Sequence, residues 1–309
     1  MKILVTGGAG FIGSHVVDEV LSRDLSVAVI DDFSTGRRAN IAHASAEFEL
    51  HEKSILDRSS LDKILIGADA AIHLAAIPSV PRSTKDPLVT NDVNVTGTMN
   101  VLDAARHAGI RRVVLASSSS VYGDSPTLPK REDMVPNPKS FYAAHKLQLE
   151  HYARLSWELY GLETVALRYF NVYGPRQNPN GDYAAVIPKF LTRMLRGERP
   201  IIYGDGTTSR DFTYVSDVAK ATVDACFAPD AAGKAINIAR GEQISLNELV
   251  GVMNECLGTS FDPIHEDFRQ GDVKHSRADI NRAKQLLEYR PDITIGEGMR
   301  RVARYLKDE

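Results

Sequence analysis

Tyr142 and Lys146 stand four positions apart in "FYAAHK", downstream of a hydroxyl-rich run, "SSSSVYGD", that contains Ser118. On a helix that spacing puts the phenol and the ammonium on one face. A free phenol titrates at about 10 and is a poor base at neutral pH until a neighbouring cation stabilises its phenolate. Lys146 can be that cation, and Ser118 is a candidate third member of the same reaction centre. The tyrosine–lysine spacing alone is common and more often marks two helix-surface residues, and His145 between them is read as a spacer on another face.

A second constellation lies in "VTGGAGFIGSH", with glycines at 7, 8, 10 and 13. Gly8, Gly10 and Gly13 fit one dinucleotide-loop spacing, and Gly7, Gly10 and Gly13 fit another. Residues without Cβ permit a tight turn, close approach of a pyrophosphate to N–H groups at a helix N-terminus, and close helix–sheet packing. Asp31 stands where the following strand ends. A carboxylate there can accept from both ribose hydroxyls and repels a 2′-phosphate, so NAD is expected rather than NADP. Arg37 and Arg38 are close enough in sequence to keep NADP as the alternative.

The elements that must position these groups are visible in the chain's rhythm. Short β-branched runs, "KILV", "SVAVI", "AAIHLA", "RRVVLAS" and "TVALRYF", alternate with helical patterns such as "FIGSHVVDEVLSR" and "NVTGTMNVLDAARHAG". That alternation predicts βαβ units in a Rossmann-type, doubly wound parallel α/β sheet. Ser118 then falls just after a strand, where such sheets present ligand-binding residues. Beyond about Pro175 glycine and proline punctuate the chain, and a smaller C-terminal substrate domain is expected. The expected division is 1–175 for cofactor and 176–309 for substrate, interleaved because the strand near 235–239 returns to the main sheet. "SLNE" at Ser245–Glu248 and "TIGE" at Thr294–Glu297 both read as capping boxes that open helices.

Composition bounds the partners. The 309-residue chain carries a formal net charge of -3 and a pI near 6.3, which gives no electrostatic footprint for nucleic acid or an anionic membrane. Cys226 and Cys256 are the only two cysteines and suit neither a disulfide framework nor structural zinc. The nine histidines show no metal-binding spacing, so no metal is predicted. Glycines interrupt the opening segment where a signal peptide needs apolar residues, and no apolar run is long enough to span a bilayer; a cytoplasmic protein is expected.

Across nearly its whole length the chain resembles the extended short-chain dehydrogenase/reductase family, specifically its nucleotide-sugar epimerases. The motifs that carry the resemblance are "TGGAGFIGSH", "HLAA", "NVTGT", "SSSSVYGD", "YAAHK", "RYFNVYGPRQ", "SRDFTYVSDVA" and "RQGD", in the family's order. The resemblance implies that Ser118 holds the sugar O4, that Tyr142 is the base, and that Lys146 orients the nicotinamide ribose while lowering the Tyr142 pKa. It also implies cofactor contacts from Phe11, Ile12, Asp32, Ser54, Ile55, Leu74, Ala75, Ala76 and Asn94. For a UDP-sugar it implies diphosphate contacts from Asn171, Arg210 and Arg269, a ribose contact from Asp272, and Val186 and Tyr203 about the uracil. Ser79, Ser119 and Ser276 would border the sugar. The implied reaction is inversion at C4 through a transient 4-keto sugar, with no net oxidation. Ser276 is small where the family's Glc/Gal-restricted members carry tyrosine, which leaves room for an N-acetyl group. Dehydratases and decarboxylases of the family place acidic residues where Ser119 and Ser120 stand here. Epimerisation of UDP-glucuronate is the runner-up reading. Apolar residues on more than one face of the helices at 94–108 and 142–160 suggest a homodimer, as in the family; packing within one monomer accounts for them almost as well.

Overall fold

The computed structural model describes residues 1–179, 185–268 and 274–308. Its first half repeats strand and helix: β1 (Lys2–Thr6), α1 (Phe11–Ser22), β2 (Ser26–Ile30), β3 (Glu49–His51), α2 (Arg58–Ile64) and β4 (Ala70–His73). Two short helices follow, α3 (Val80–Lys85) and α4 (Pro87–Asn91), then α5 (Gly97–His107), β5 (Arg112–Ser118), α6 (Phe141–Tyr160) and β6 (Glu163–Tyr169). A single π-helical turn, Asp92–Thr96, joins α4 to α5. The second half holds β7 (Val172–Tyr173), α7 (Val186–Leu195), β8 (Ile201–Tyr203), β9 (Ser209–Arg210), β10 (Thr213–Tyr214), α8 (Val215–Asp224) and β11 (Lys234–Ile238). It ends with β12 (Ile244–Ser245), α9 (Leu246–Leu257), β13 (Ile264–Glu266), α10 (Asn281–Leu287) and α11 (Ile295–Asp308).

Seven parallel strands form one sheet in the order β11-β6-β5-β4-β1-β2-β3. The reason is legible in the strands themselves. Their apolar runs are continuous, yet the period of two still sorts them onto two faces. Ile3, Val5, Val27 and Val29 pack with Val16, Val20 and Val218 of α1 and α8. Leu4, Ala28 and Ile30 pack on the other face with Leu61, Val101, Leu102 and Leu149 of α2, α5 and α6. The order reverses between β1 and β4, so their carboxyl ends flank the crevice where such sheets take ligands.

β11 pairs with β6 from Lys234↔Val165 to Ile238↔Tyr169, and α8 and α10 lie on this same sheet. A separate buried cluster gathers Tyr173, Phe190, Leu191, Phe212, Leu249 and Met299, mostly from α7, α9 and α11, with Phe11 and Ile12 of α1 packed against it. Ser245 opens α9 with a full capping box, its hydroxyl accepting from Glu248 N–H at 3.2 Å while the Glu248 carboxylate accepts from Ser245 N–H at 2.8 Å. At Thr294 only the first half forms. The hydroxyl accepts from Glu297 N–H at 3.3 Å, but the Glu297 carboxylate turns along the helix to Arg301 at 2.8 Å, the stronger, charged partner.

Candidate active site

The turn after β1 is shaped by what has no side chain. Gly7 takes φ +73°, and a Cβ there would lie 2.6 Å from the Ala75 nitrogen. A Cβ on Gly13 would lie 2.0 Å from the Gly7 carbonyl oxygen. Gly10 precedes α1 and places no side chain over the helix N–H groups, leaving them to a ligand. Phe11 and Ile12 follow on the first turn. Beyond β2, Asp31 is buried; its Oδ2 accepts from Ala9 N–H at 2.8 Å and its Oδ1 from Phe33 N–H at 2.9 Å. Each oxygen keeps a second lone pair for a hydroxyl group. Burial raises the Asp31 pKa, against those two N–H bonds. Partial desolvation raises the carboxyl of the exposed Asp32, but hydrogen bonds from Ser34 and Ser54 outweigh it and hold the group below the usual range. Arg38 is committed elsewhere: its guanidinium lies 4.1 Å from the Phe33 ring centroid and pairs with Glu52 at 2.5 Å.

Leu74, Ala75 and Ala76 continue from β4, half-buried, and Ala75 N–H donates to the Thr6 hydroxyl at 3.3 Å. Asn94 sits in the π turn and is buried, with its side-chain oxygen accepting from Ile77 N–H at 2.8 Å and its amide donating to the Ile77 carbonyl at 3.2 Å. Ile55 is buried beside the same region, 2.5 Å from where a Cβ on Gly97 would stand. This glycine cradle, the acceptor at Asp31 and the apolar floor beyond β4 fit a dinucleotide.

Ser118 ends β5, and its hydroxyl accepts from Ser120 N–H at 3.2 Å, opening the 3-10 turn Ser119–Tyr122. Tyr142 stands on the first turn of α6, whose N-cap Ser140 accepts from Ala143 N–H at 3.1 Å. Burial pushes the Tyr142 phenol above its ordinary value, and a hydrogen bond with Ser118 pulls it back. Lys146 is buried one helical turn on; its Nζ donates to the Ala116 carbonyl at 2.7 Å and lies 5.9 Å from the Tyr142 ring centroid. Burial lowers its pKa to about 8. The structure thus brings the three together, within reach of the β1–β4 crevice. His145 is buried beside them, and its Nδ1 has no hydrogen-bond partner among the described residues.

The remaining predicted contacts lie on other elements. Ser79 caps α3, accepting from Arg82 N–H at 3.1 Å. Asn171 takes φ +32° and donates to the Asp211 carbonyl at 3.1 Å. Val186 is the first residue of α7, and Tyr203 ends β8 at an open cleft of about 670 Å³ bordered by His265, Glu266 and Asp267. Arg210 ends β9 and donates to the Ser209 carbonyl at 2.9 Å; Ser276, nearly buried, donates its N–H to that same carbonyl at 3.1 Å. Arg269 and Asp272 lie outside the described residues.

Sequence reasoning missed the supports. Ser83 accepts from Tyr142 N–H at 3.1 Å and so ties α3 to the start of α6. Glu150 continues the Tyr142–Lys146 stripe by one more turn, and its Oε1 accepts from Ser117 at 2.5 Å while Arg168 grips both its oxygens at 2.9 and 2.7 Å. That carboxylate was visible four places after Lys146 in "YAAHKLQLE". His73 bridges the Thr6 hydroxyl at 2.8 Å and the Thr98 hydroxyl at 3.0 Å. Because Thr98 donates to the Asn94 carbonyl at 2.7 Å, the imidazole must donate from Nε2 and accept at Nδ1. Burial, then the nearby Lys146 charge, lower its pKa to about 3 and keep it neutral.

Among the described residues no His, Cys, Asp and Glu side chains converge to hold a metal, and no helix is long and apolar enough to cross a membrane. Residues 3–239 match the model of the NAD dependent epimerase/dehydratase family. The chain is 39% identical to a UDP-glucose 4-epimerase of Mycolicibacterium smegmatis, over 100% of this chain and 99% of that one. It superposes with TM-score 0.95 on the UDP-N-acetylglucosamine 4-epimerase of Methanobrevibacter ruminantium solved with UDP-N-acetylmuramic acid, 39% identical and covering 99% of this chain and 98% of that one. It superposes with TM-score 0.92 on the UDP-glucuronic acid 4-epimerase of Bacillus cereus solved with UDP-glucuronic acid and NAD, 34% identical and covering 100% and 99%. A glycine cradle closed by Asp31, a serine, tyrosine and lysine meeting beside it, and likeness along the whole chain lead to one conclusion: the chain belongs to the NAD dependent epimerase/dehydratase family, as an NAD-dependent epimerase.

Proposed function

We propose that the protein is a UDP-hexose 4-epimerase that interconverts UDP-Glc with UDP-Gal and also accepts UDP-GlcNAc and UDP-GalNAc. The observation that carries the reading is the make-up of the turn after β5. Ser118 and Tyr142 share a hydrogen bond there, and the next two side chains, Ser119 and Ser120, are hydroxyls where an elimination or decarboxylation needs an acid or base. Such a site exchanges one proton, at one oxygen.

In this reading Ser118 and Tyr142 hold the sugar O4, and the Tyr142 oxygen takes its proton and returns it on the other face. Lys146, anchored on Ala116, orients the nicotinamide ribose and supplies positive charge near the phenolate. Gly7, Gly10, Phe11, Ile12 and Gly13 cradle the pyrophosphate, Asp31 accepts from the adenosine ribose, and Asp32, Ser54 and Ile55 border the adenine. Leu74, Ala75, Ala76 and Asn94 line the path to the nicotinamide. When bound, NAD supplies reversible two-electron oxidation at C4. Asn171, Val186, Tyr203, Arg210, Arg269 and Asp272 hold UDP, while Ser79, Ser119 and Ser276 leave the hexose room to turn. The 39% identity to a UDP-glucose 4-epimerase and the 0.95 TM-score to a UDP-N-acetylglucosamine 4-epimerase support both sugar pairs. Exposed Met99, Leu155, Leu159 and Tyr160 on α5 and α6 support a homodimer through these helices.

Likeness to the Bacillus cereus enzyme favours UDP-glucuronate as the second reading. Incubation of the purified protein with UDP-glucose, UDP-GlcNAc and UDP-glucuronate, followed by chromatographic separation of the C4 epimers, tests both. Conversion of UDP-glucuronate alone overturns the first reading.

A further inference from the structure

Asp211 lies between β9 and β10, one residue from Arg210, and its side chain has no exposed surface. Among the described residues no cation pairs with it. Instead three backbone N–H groups from two distant segments converge on the carboxylate. Arg240 donates to Oδ1 at 3.0 Å, Gly241 to Oδ2 at 3.1 Å, and Ala278 to Oδ2 at 3.0 Å. Its own carbonyl accepts from the Asn171 side chain at 3.1 Å.

The same junction is stitched on its other side. Ser276 N–H donates to the Ser209 carbonyl at 3.1 Å, Ser209 N–H donates to the Lys274 carbonyl at 3.1 Å, and the Ser209 hydroxyl meets His275 Nδ1 at 2.8 Å. The turn carrying Asn171, the strand carrying Arg210, the exit from β11 and the segment carrying Ser276 therefore meet at one residue, Asn171 on its carbonyl and the last two segments on its carboxylate. Only a side chain that accepts on both oxygens can answer donors on both sides. An amide presents a donor on one of them. Burial pushes the Asp211 carboxyl up to about 7 against the pull of those three N–H groups, so the group sits where charge is costly and its partners are all backbone.

We propose that Asp211 is the positioning residue of the nucleotide-sugar pocket: it fixes Asn171, Arg210 and Ser276 relative to one another without touching the substrate itself. The inference rests on the reading of those three as substrate contacts. An isosteric Asp211→Asn change keeps the volume and turns an N–H group towards at least one of the three donors.

The test compares wild type, D211N and Arg210→Ala as NAD-loaded proteins, with melting temperature and NAD content reporting the fold. D211N should raise KM for UDP-glucose by about tenfold or more, with kcat within about threefold and bound NAD unchanged. A rise in KM in R210A with none in D211N overturns the positioning role and leaves the pocket standing. An unchanged KM in both variants overturns the pocket assignment itself. Should D211N not accumulate folded, wild-type amide exchange carries the test: saturating UDP-glucose should slow the Arg240, Gly241 and Ala278 amides together. Exchange at these three that ignores the ligand overturns the inference.

Discussion

No hydrogen bond joins Lys146 to the Tyr142 hydroxyl in this structure; its Nζ lies 5.9 Å from the ring centroid and donates to the Ala116 carbonyl at 2.7 Å. In the proposed mechanism the lysine acts on the tyrosine through its charge rather than through a hydrogen bond, and only while protonated. Burial has lowered its pKa to about 8 and raised that of the phenol, so the two groups want opposite changes of pH. The phenolate is favoured as pH rises, and the cation that stabilises it is lost as pH rises through about 8. In Lys146→Ala the rising limb of the pH–rate profile should move to higher pH, and the decline through about 8 should vanish. A profile superimposable on the wild type removes this role.

Tyr142→Phe keeps the ring and deletes the proton carrier. It should bind UDP-glucose as the wild type does while kcat falls by roughly 10²–10⁴. Calorimetric titration alongside steady-state rates checks both halves. Wild-type turnover in the variant refutes Tyr142 as base.

Ser276 is nearly buried, with its N–H fixed on Ser209. Ser276→Tyr should overfill the sugar pocket, abolishing turnover of UDP-GlcNAc while sparing UDP-galactose. Pocket fit of this kind is worth about 1–3 kcal/mol, so the ratio of the two kcat/KM values is the sensitive readout. An unchanged ratio places Ser276 outside the pocket.

Beneath the site, Arg168 and Glu150 form an ion pair at 2.7 Å with side chains only 4% and 9% exposed. Glu150→Ala leaves a guanidinium buried with the Tyr122 hydroxyl as its remaining side-chain partner and should cost about 3–5 kcal/mol in urea unfolding. Replacing both residues together by apolar side chains should recover most of that loss. A Glu150→Ala variant as stable as the wild type contradicts the arrangement.

What could be read from the chain was local. The β1 turn, α1 and Asp31 lie within one βαβ unit, and Tyr142 and Lys146 within one helical turn, so spacing and period sufficed. Glu150 apart, the groups that support them are remote in sequence. His73 meets Thr6, 67 residues away, and Asp211 meets Ala278, also 67 away. "SRDF" drew attention to Arg210, whose charge suits phosphate, and hid Asp211, whose partners are backbone groups that no motif displays. The π turn at Asp92–Thr96 interrupts the helical period just where Asn94 must turn inward, so "NVTGT" read as a plain helix start. The two-residue ladders β7, β9, β10 and β12 are too short to leave a pattern of their own.

In the proposed reaction a single proton site at O4 and a tightly held NAD invert C4 with no net oxidation. Purified protein, given UDP-glucose and no added cofactor or oxidant, should yield UDP-galactose to equilibrium while absorbance at 340 nm stays flat on the scale of substrate converted. Reduction of the bound NAD to NADH, one per active site, with an equal amount of UDP-glucose oxidised and no UDP-galactose formed, would contradict it.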